Sequence, residues 1–258
     1  MRLSSTFQLA GRYSFEKTKI FDERLAERDP NLPSIDRLFP EVRLSRFAGS
    51  MIHDTRDNPL DPSRGLQLIV DGDLAARAIG SEIGFIKTYI QAFTFRQLPT
   101  ARRIVAAFGA RFGAARGFER EKDGERVADL PASERFFAGG DTTVRGFSLD
   151  RLGNAETIDP QTGFPGGGNG VVIFNSELRV TVIPRWQAVG FFDAGNVFVR
   201  PSDLDLTDLR PAAGLGLRYF SDYFPVRLDL GFNLDRRELV PGRPERGTVF
   251  HVSFGQAF

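Results

Sequence analysis

Stretches in which every second residue is apolar recur along this chain at the length a membrane-crossing strand needs. In the first, Phe7, Leu9, Gly11, Tyr13 and Phe15 alternate with Thr6, Gln8, Ala10, Arg12, Ser14 and Glu16. The pattern returns at 65–74, where Leu66, Leu68, Val70 and Leu74 oppose Gln67, Asp71 and Asp73. At 103–115, Ile104, Ala106, Phe108, Ala110 and Phe112 oppose Arg103, Gly109, Arg111 and Gly113. Near the C-terminus Val226, Leu228, Leu230, Phe232 and Leu234 alternate with Arg227, Asp229, Gly231, Asn233 and Asp235. Period two marks a strand with one apolar and one polar face. A single case fits a half-buried soluble sheet, whereas repetition in strands of about 10 to 13 residues favours a transmembrane barrel.

No run of about 18 apolar residues is present, so a transmembrane helix is not expected. A spanning structure then has to be a closed barrel, because hydrocarbon cannot satisfy open backbone groups. Composition does not reveal this: 41% hydrophobic and 26% charged residues in 258 would suit soluble domains. Porin-type strands hide in that range because only alternate residues face lipid, and the 25 Phe and 27 Gly are the compositional hint. A net charge of +1, with both signs spread along the chain, leaves no basic patch for nucleic acid. Without cysteine there is neither a disulfide nor a thiolate metal site. Met1 to Thr6 runs straight into alternating sequence with no apolar signal core, so the chain reads as a fragment or as lacking an upstream portion.

The remaining strands are expected near 42–54, 83–97, 171–183, 186–199, 212–220 and 247–258; alternation is poor in the first two. Tight turns fall at 58–64, 98–101, Pro184-Arg185 and Ser221-Asp222. Long connections fall near 17–40, 116–169, 200–210 and 236–246, with a shorter one near 75–82. Short and long connections alternate along the chain, as outer-membrane barrels require of periplasmic turns and external loops. Trp186, Tyr219, Phe220, Tyr223 and Phe224 cluster beside the short turns, as an interfacial aromatic girdle would.

The loop 116–169 is too long for a passive connection. It contains Gly139-Gly140-Asp141-Thr142-Thr143-Val144-Arg145-Gly146-Phe147. This resembles the GG-x-x-x-(V/I)-R-G-(F/Y) pattern of the BamA/TamA family of bacterial outer-membrane proteins. The turn 54–65, with its R-D-x-P-x-x-P-x-x-G run, is similar to a periplasmic turn of the same family. Phe250, Val252, Phe254 and the terminal Phe258 resemble the C-terminal β-signal of bacterial barrel proteins. The resemblance spans essentially the whole chain and implies an all-β, antiparallel transmembrane β-barrel, of which 1–258 would supply about ten C-terminal strands out of about sixteen. The N-terminal strands and the periplasmic POTRA domains would then lie outside the sequence.

The resemblance further implies that 116–169 is an external loop folded back into the lumen, with Arg145 meeting acidic residues on the two following strands, here Glu177 and Asp193. Parity independently turns Glu177 inward: Phe174, Leu178, Val180 and Val182 lie on the opposite face, while Asn175 and Arg179 share its side. For Asp193 parity is weaker, since Val189, Phe191 and Val197 share its face. A guanidinium forms planar, two-pronged bonds to carboxylates, and Gly139, Gly140 and Gly146 would let the backbone approach the wall.

No G-x-S-x-G nucleophile motif occurs, and His53 and His251 each sit on an expected strand away from a catalytic cluster. The glycine-rich 163–170 lacks a phosphate loop's ending, and Asp203, Asp205 and Asp208 lack the spacing of a calcium loop. The expectation is therefore a non-enzymatic protein of the bacterial outer membrane, with no catalytic residue, metal or cofactor. The family implies that it helps fold and insert other outer-membrane proteins through a lateral seam. Its partners would be outer-membrane lipid, unfolded β-barrel or autotransporter clients, and lipoprotein or periplasmic accessory subunits. The alternatives are a two-partner secretion pore and a passive porin or structural barrel.

Overall fold

The computed structural model describes residues 4–19, 41–100, 102–122, 125–128, 130–221 and 224–255. The expected connection 17–40 lies, from residue 20 onward, outside the described residues, as do Asp222, Tyr223 and Phe258.

Ten strands form one antiparallel meander: β1 (Phe7–Lys19), β2 (Glu41–Asp54), β3 (Arg64–Ala75), β4 (Phe85–Gln97), β5 (Ile104–Gly117), β8 (Gly170–Ile183), β9 (Trp186–Phe198), β10 (Arg210–Phe220), β11 (Pro225–Asn233) and β12 (Thr248–Phe254). Every strand pairs with its neighbours in chain order, interrupted only by a two-stranded hairpin, β6 (Arg120–Lys122) with β7 (Glu125–Val127), inside the long connection. The sequence pattern did not signal that hairpin, whose three-residue strands are too short to show a period. Among the described residues β1 and β12 do not pair, so the sheet is open along both edges.

The faces of the sheet are inverted relative to a soluble protein. Leu178 is 46% exposed while Arg179 beside it is 1% exposed. Phe108, Phe174, Phe192, Leu215, Leu230 and Phe250 likewise point outward, whereas Arg111, Glu177, Asp193, Arg218, Arg227 and Asp229 are buried. Large apolar area over a charged interior is stable only where hydrocarbon replaces water outside.

The sheet curls around the segment 130–152. Leu130, Phe136, Ala138, Val144, Phe147 and Leu152 of that segment are buried against Phe85, Ala115, Val171, Ile173, Val197 and Ala212 of the strands. Side chains from β2, at Arg46, to β12, at His251, reach the same segment, which a flat sheet of strands about 4.8 Å apart could not arrange. A second apolar cluster, Phe93, Phe95, Val105 and Ala107, fills the inner face of β4 and β5 nearer the short turns.

The short turns have a sequence rationale. Between β8 and β9, Pro184-Arg185 closes a two-residue loop in which Arg185 takes φ 69°, and Trp186 meets Tyr219 of β10 at 4.8 Å with the rings tilted by 45°. Between β2 and β3, Asp57 accepts bonds from the Ser63 amide (2.8 Å), the Ser63 hydroxyl (2.5 Å), the Arg64 amide (3.1 Å) and the Asn58 amide (3.0 Å). Gly65 follows at φ 107°, where a side chain would overlap the Thr55 carbonyl. This turn folds under the strand ends: Asp61 accepts from Arg103 Nη1 at 2.5 Å and from Gln187 Nε2 of β9 at 3.3 Å.

Candidate functional site

The apex of the long segment is shaped by glycine and by its own backbone bonds. Gly139 and Gly140 adopt φ of 108° and 103°, which side-chain-bearing residues avoid. The Gly140 amide donates to Phe147 O at 3.0 Å, the Phe147 amide to Val144 O at 3.2 Å, and the Leu152 amide to Ala138 O at 2.9 Å. The Gly139 amide donates to Thr143 Oγ1 at 2.8 Å. The apex thus closes on itself, with Val144 and Phe147 turned into the apolar core.

Arg145 lies between them, 1% exposed. Its Nε and Nη2 donate to the two carboxylate oxygens of Asp193, each at 2.8 Å, and its backbone amide donates to Asp193 Oδ2 at 3.1 Å. Its Nη1 donates to Glu177 Oε1. The guanidinium also stacks over the Phe191 ring at 3.7 Å. Phe191 is one of the apolar residues that blur parity around Asp193; it shares the inner face because it is the platform for this cation.

Further residues complete the network. Asn175, opposite Asp193 in the β8–β9 ladder, donates to Asp193 Oδ1 (2.8 Å) and to the Thr143 carbonyl (2.6 Å), and accepts from Arg111 Nη1 (2.6 Å). Glu177 Oε2 accepts from Arg179 Nε at 2.7 Å. Arg218 and Arg227 face each other across β10 and β11, a repulsive pairing relieved by Asp229, which accepts from Arg218 at 2.6 Å and from Arg227 at 3.1 Å. Arg227 also donates to the Asp141 carbonyl at 2.7 Å, tying β11 to the same apex. The parity of Arg111, Asn175, Arg179, Arg227 and Asp229 was readable, but their joining was not, because it depends on register across β5, β8, β9, β10 and β11.

A second tie holds the opposite side of the segment. Glu134 is buried and receives both bonds of Arg46 Nη1 from β2 at 3.1 Å, with Lys87 Nζ of β4 at 3.8 Å. No sequence motif marks Glu134. On β12, Phe250, Val252 and Phe254 share the outward face, and Phe254 meets Phe224 edge-on at 5.3 Å. Among the described residues no group of three His, Asp or Glu side chains could hold a metal.

In this arrangement the Glu177 and Asp193 carboxylates are both taken up by the Arg145 guanidinium. What it does is fix a loop to a wall. Burial makes that fixing strong, since removing one partner of a buried pair costs about 3 to 5 kcal/mol.

Known proteins resemble the chain as a whole. The outer membrane protein assembly factor BamA of Nitratidesulfovibrio vulgaris is 27% identical over 246 residues, covering 94% of this chain but 27% of that protein's length. The crystal structure of BamA from Haemophilus ducreyi lacking POTRA domains 1–3 superposes with a TM-score of 0.67 at 17% identity, over 96% of this chain and 51% of that one. CdiB from Acinetobacter baumannii follows at a TM-score of 0.53 and 16% identity, over 83% of this chain and 34% of that one. At such identities the two structures attest the fold alone. The Omp85 superfamily domain matches residues 1–258, and the chain accordingly belongs to the Omp85 superfamily of outer-membrane β-barrel proteins.

Proposed function

We propose that this chain is barrel wall of an outer-membrane assembly factor, which folds and inserts other β-barrel or autotransporter proteins through a lateral seam bordered by β12. The observation that carries this reading is the loop bolted to the wall beside the last strand. β12 pairs only with β11 among the described residues, while the Arg145 apex is anchored through β8, β9 and β11. Where this strand pairs only weakly with the first strand of the parent barrel, its edge can template an incoming strand by main-chain hydrogen bonds, and an anchored interior keeps the rest of the wall from opening with it. The relative named as a BamA assembly factor supports the same reading. Clients would be unfolded outer-membrane barrels, with lipoprotein or periplasmic subunits as accessories.

The test is insertion of an unfolded barrel client into lipid vesicles carrying the parent protein that contains this chain. Client folding faster than in empty vesicles is expected, together with loss of the gain in Arg145→Glu. Unchanged client folding, with export of a soluble partner instead, would replace the reading by the secretion-pore function. Ion conductance alone would replace it by a passive pore.

A further inference from the structure

His251 lies on β12, on the inner face together with Val249 and Ser253, and its Nε2 is 2.8 Å from the carbonyl oxygen of Arg145. A carbonyl only accepts, so Nε2 carries the proton and donates it. The contact exists because the loop backbone lies flat on the wall. A side chain at Gly231 of β11 would overlap the Arg145 carbonyl, and one at Gly146 would overlap Ala212 of β10. Arg145 is immobilised from its other end by Asp193 and Glu177, so its carbonyl is a fixed acceptor aimed past β11.

We propose that His251 is a positioning residue that locks the register of β12 against the anchored loop. Among the described residues the strand partner of β12 is β11, from Val226 opposite Phe254 to Phe232 opposite Thr248. A ladder alone tolerates slippage, because its bonds repeat along the strand. A slip of one residue would turn His251 to the lipid face, and a slip of two would move it about 7 Å, beyond reach of the carbonyl. The bond therefore exists in one register only, and a shift of β12 along β11 would break its tie to the loop. The inference rests on the proposed function only for its consequence, that the strand bordering the seam is held in one register by the Arg145 apex.

The experiment is amide hydrogen exchange of β12 in the whole protein reconstituted in vesicles. His251→Ala should speed exchange of the β12 amides paired to β11 roughly five- to tenfold, the worth of one hydrogen bond. His251→Gln, whose side-chain amide can donate to the same carbonyl, should stay within about twofold of the parent, as a restored donor would. Gly231→Ala, which displaces the acceptor instead of the donor, should match His251→Ala, and the double variant should be no faster than either. The nitrogen shifts of the His251 ring should report a proton on Nε2. Unchanged β12 exchange in His251→Ala, or exchange in His251→Gln as fast as in His251→Ala, would overturn the assignment. The parent's client-insertion rate separates the two readings: no insertion with the expected exchange pattern removes the proposed function and leaves His251 in place.

Discussion

At the scale of single residues, geometry decides which substitutions are conservative. Asp193 takes both prongs of the Arg145 guanidinium and also its backbone amide, while Asn175 supplies a further donor. Arg145→Glu would set a third carboxylate against Glu177 and Asp193, and the loss should reach about 3 to 5 kcal/mol, less where water enters. Combining it with Asp193→Arg restores one ion pair but leaves the amides of residue 145 and Asn175 facing a cation. Partial recovery is therefore expected in urea unfolding of the reconstituted protein. Damage in the double variant equal to the sum of the singles would mean that the two side chains do not interact. Glu177 was legible from its own strand because Phe174, Leu178 and Val182 face away from it. Asp193 was not, because Phe191 beneath the guanidinium gives its inner face an apolar residue where alternation predicts a polar one.

At the scale of elements, the same cause explains which strands the sequence marked clearly. β5 and β11 alternate cleanly because most of their inner positions are small, polar or charged, with Val105 and Pro225 the exceptions. On β4 the inner face carries Phe93 and Phe95, which lie beneath Arg111 at 5.0 Å and Arg179 at 5.4 Å, while Ile86, Ile90 and Ala92 lie on the outer face, so apolar residues occupy both faces of the pattern. On β2 the inner positions include Leu44, packed in the core, and Ile52. Pattern reading assumes that the interior is polar, and it weakens wherever a cation uses a ring as its floor. The turn between β2 and β3 is governed by local chemistry instead. Burial would raise the Asp57 carboxyl, but the donors from Ser63, Arg64 and Asn58 outweigh it and push the pKa down to about 2 from an ordinary 3.8. A depressed folded value means that the stabilisation is complete above the unfolded value and lost as pH falls from roughly 4 to 2. Carbon shifts of the Asp57 carboxyl should titrate near the lower figure and move up toward the ordinary one in Ser63→Ala. An ordinary midpoint in the parent protein would show that the Ser63 and Arg64 bonds do not form.

At the scale of the whole molecule, the inverted distribution of charge sets where the wall can accept a new one. Leu178, near the middle of β8, points outward between Glu177 and Arg179, which point inward. A cation at 178 would face hydrocarbon on a strand whose register is pinned by both neighbours, so it cannot turn in without turning them out. Leu178→Arg should therefore cost about 2 to 4 kcal/mol in lipid vesicles. Ser50 makes the contrast: it lies on the inner side of β2, opposite Asp71 of β3 and of one parity with Arg46 and Asp54. Ser50→Arg would place its cation beside a carboxylate and should change stability by less than about 1 kcal/mol. Reversible unfolding of the two variants in the same lipid measures the difference directly. Equal costs would mean that the two faces of the sheet meet the same medium, and the assignment of lipid to the outer face and of a polar interior to the Arg145 side would fall with it.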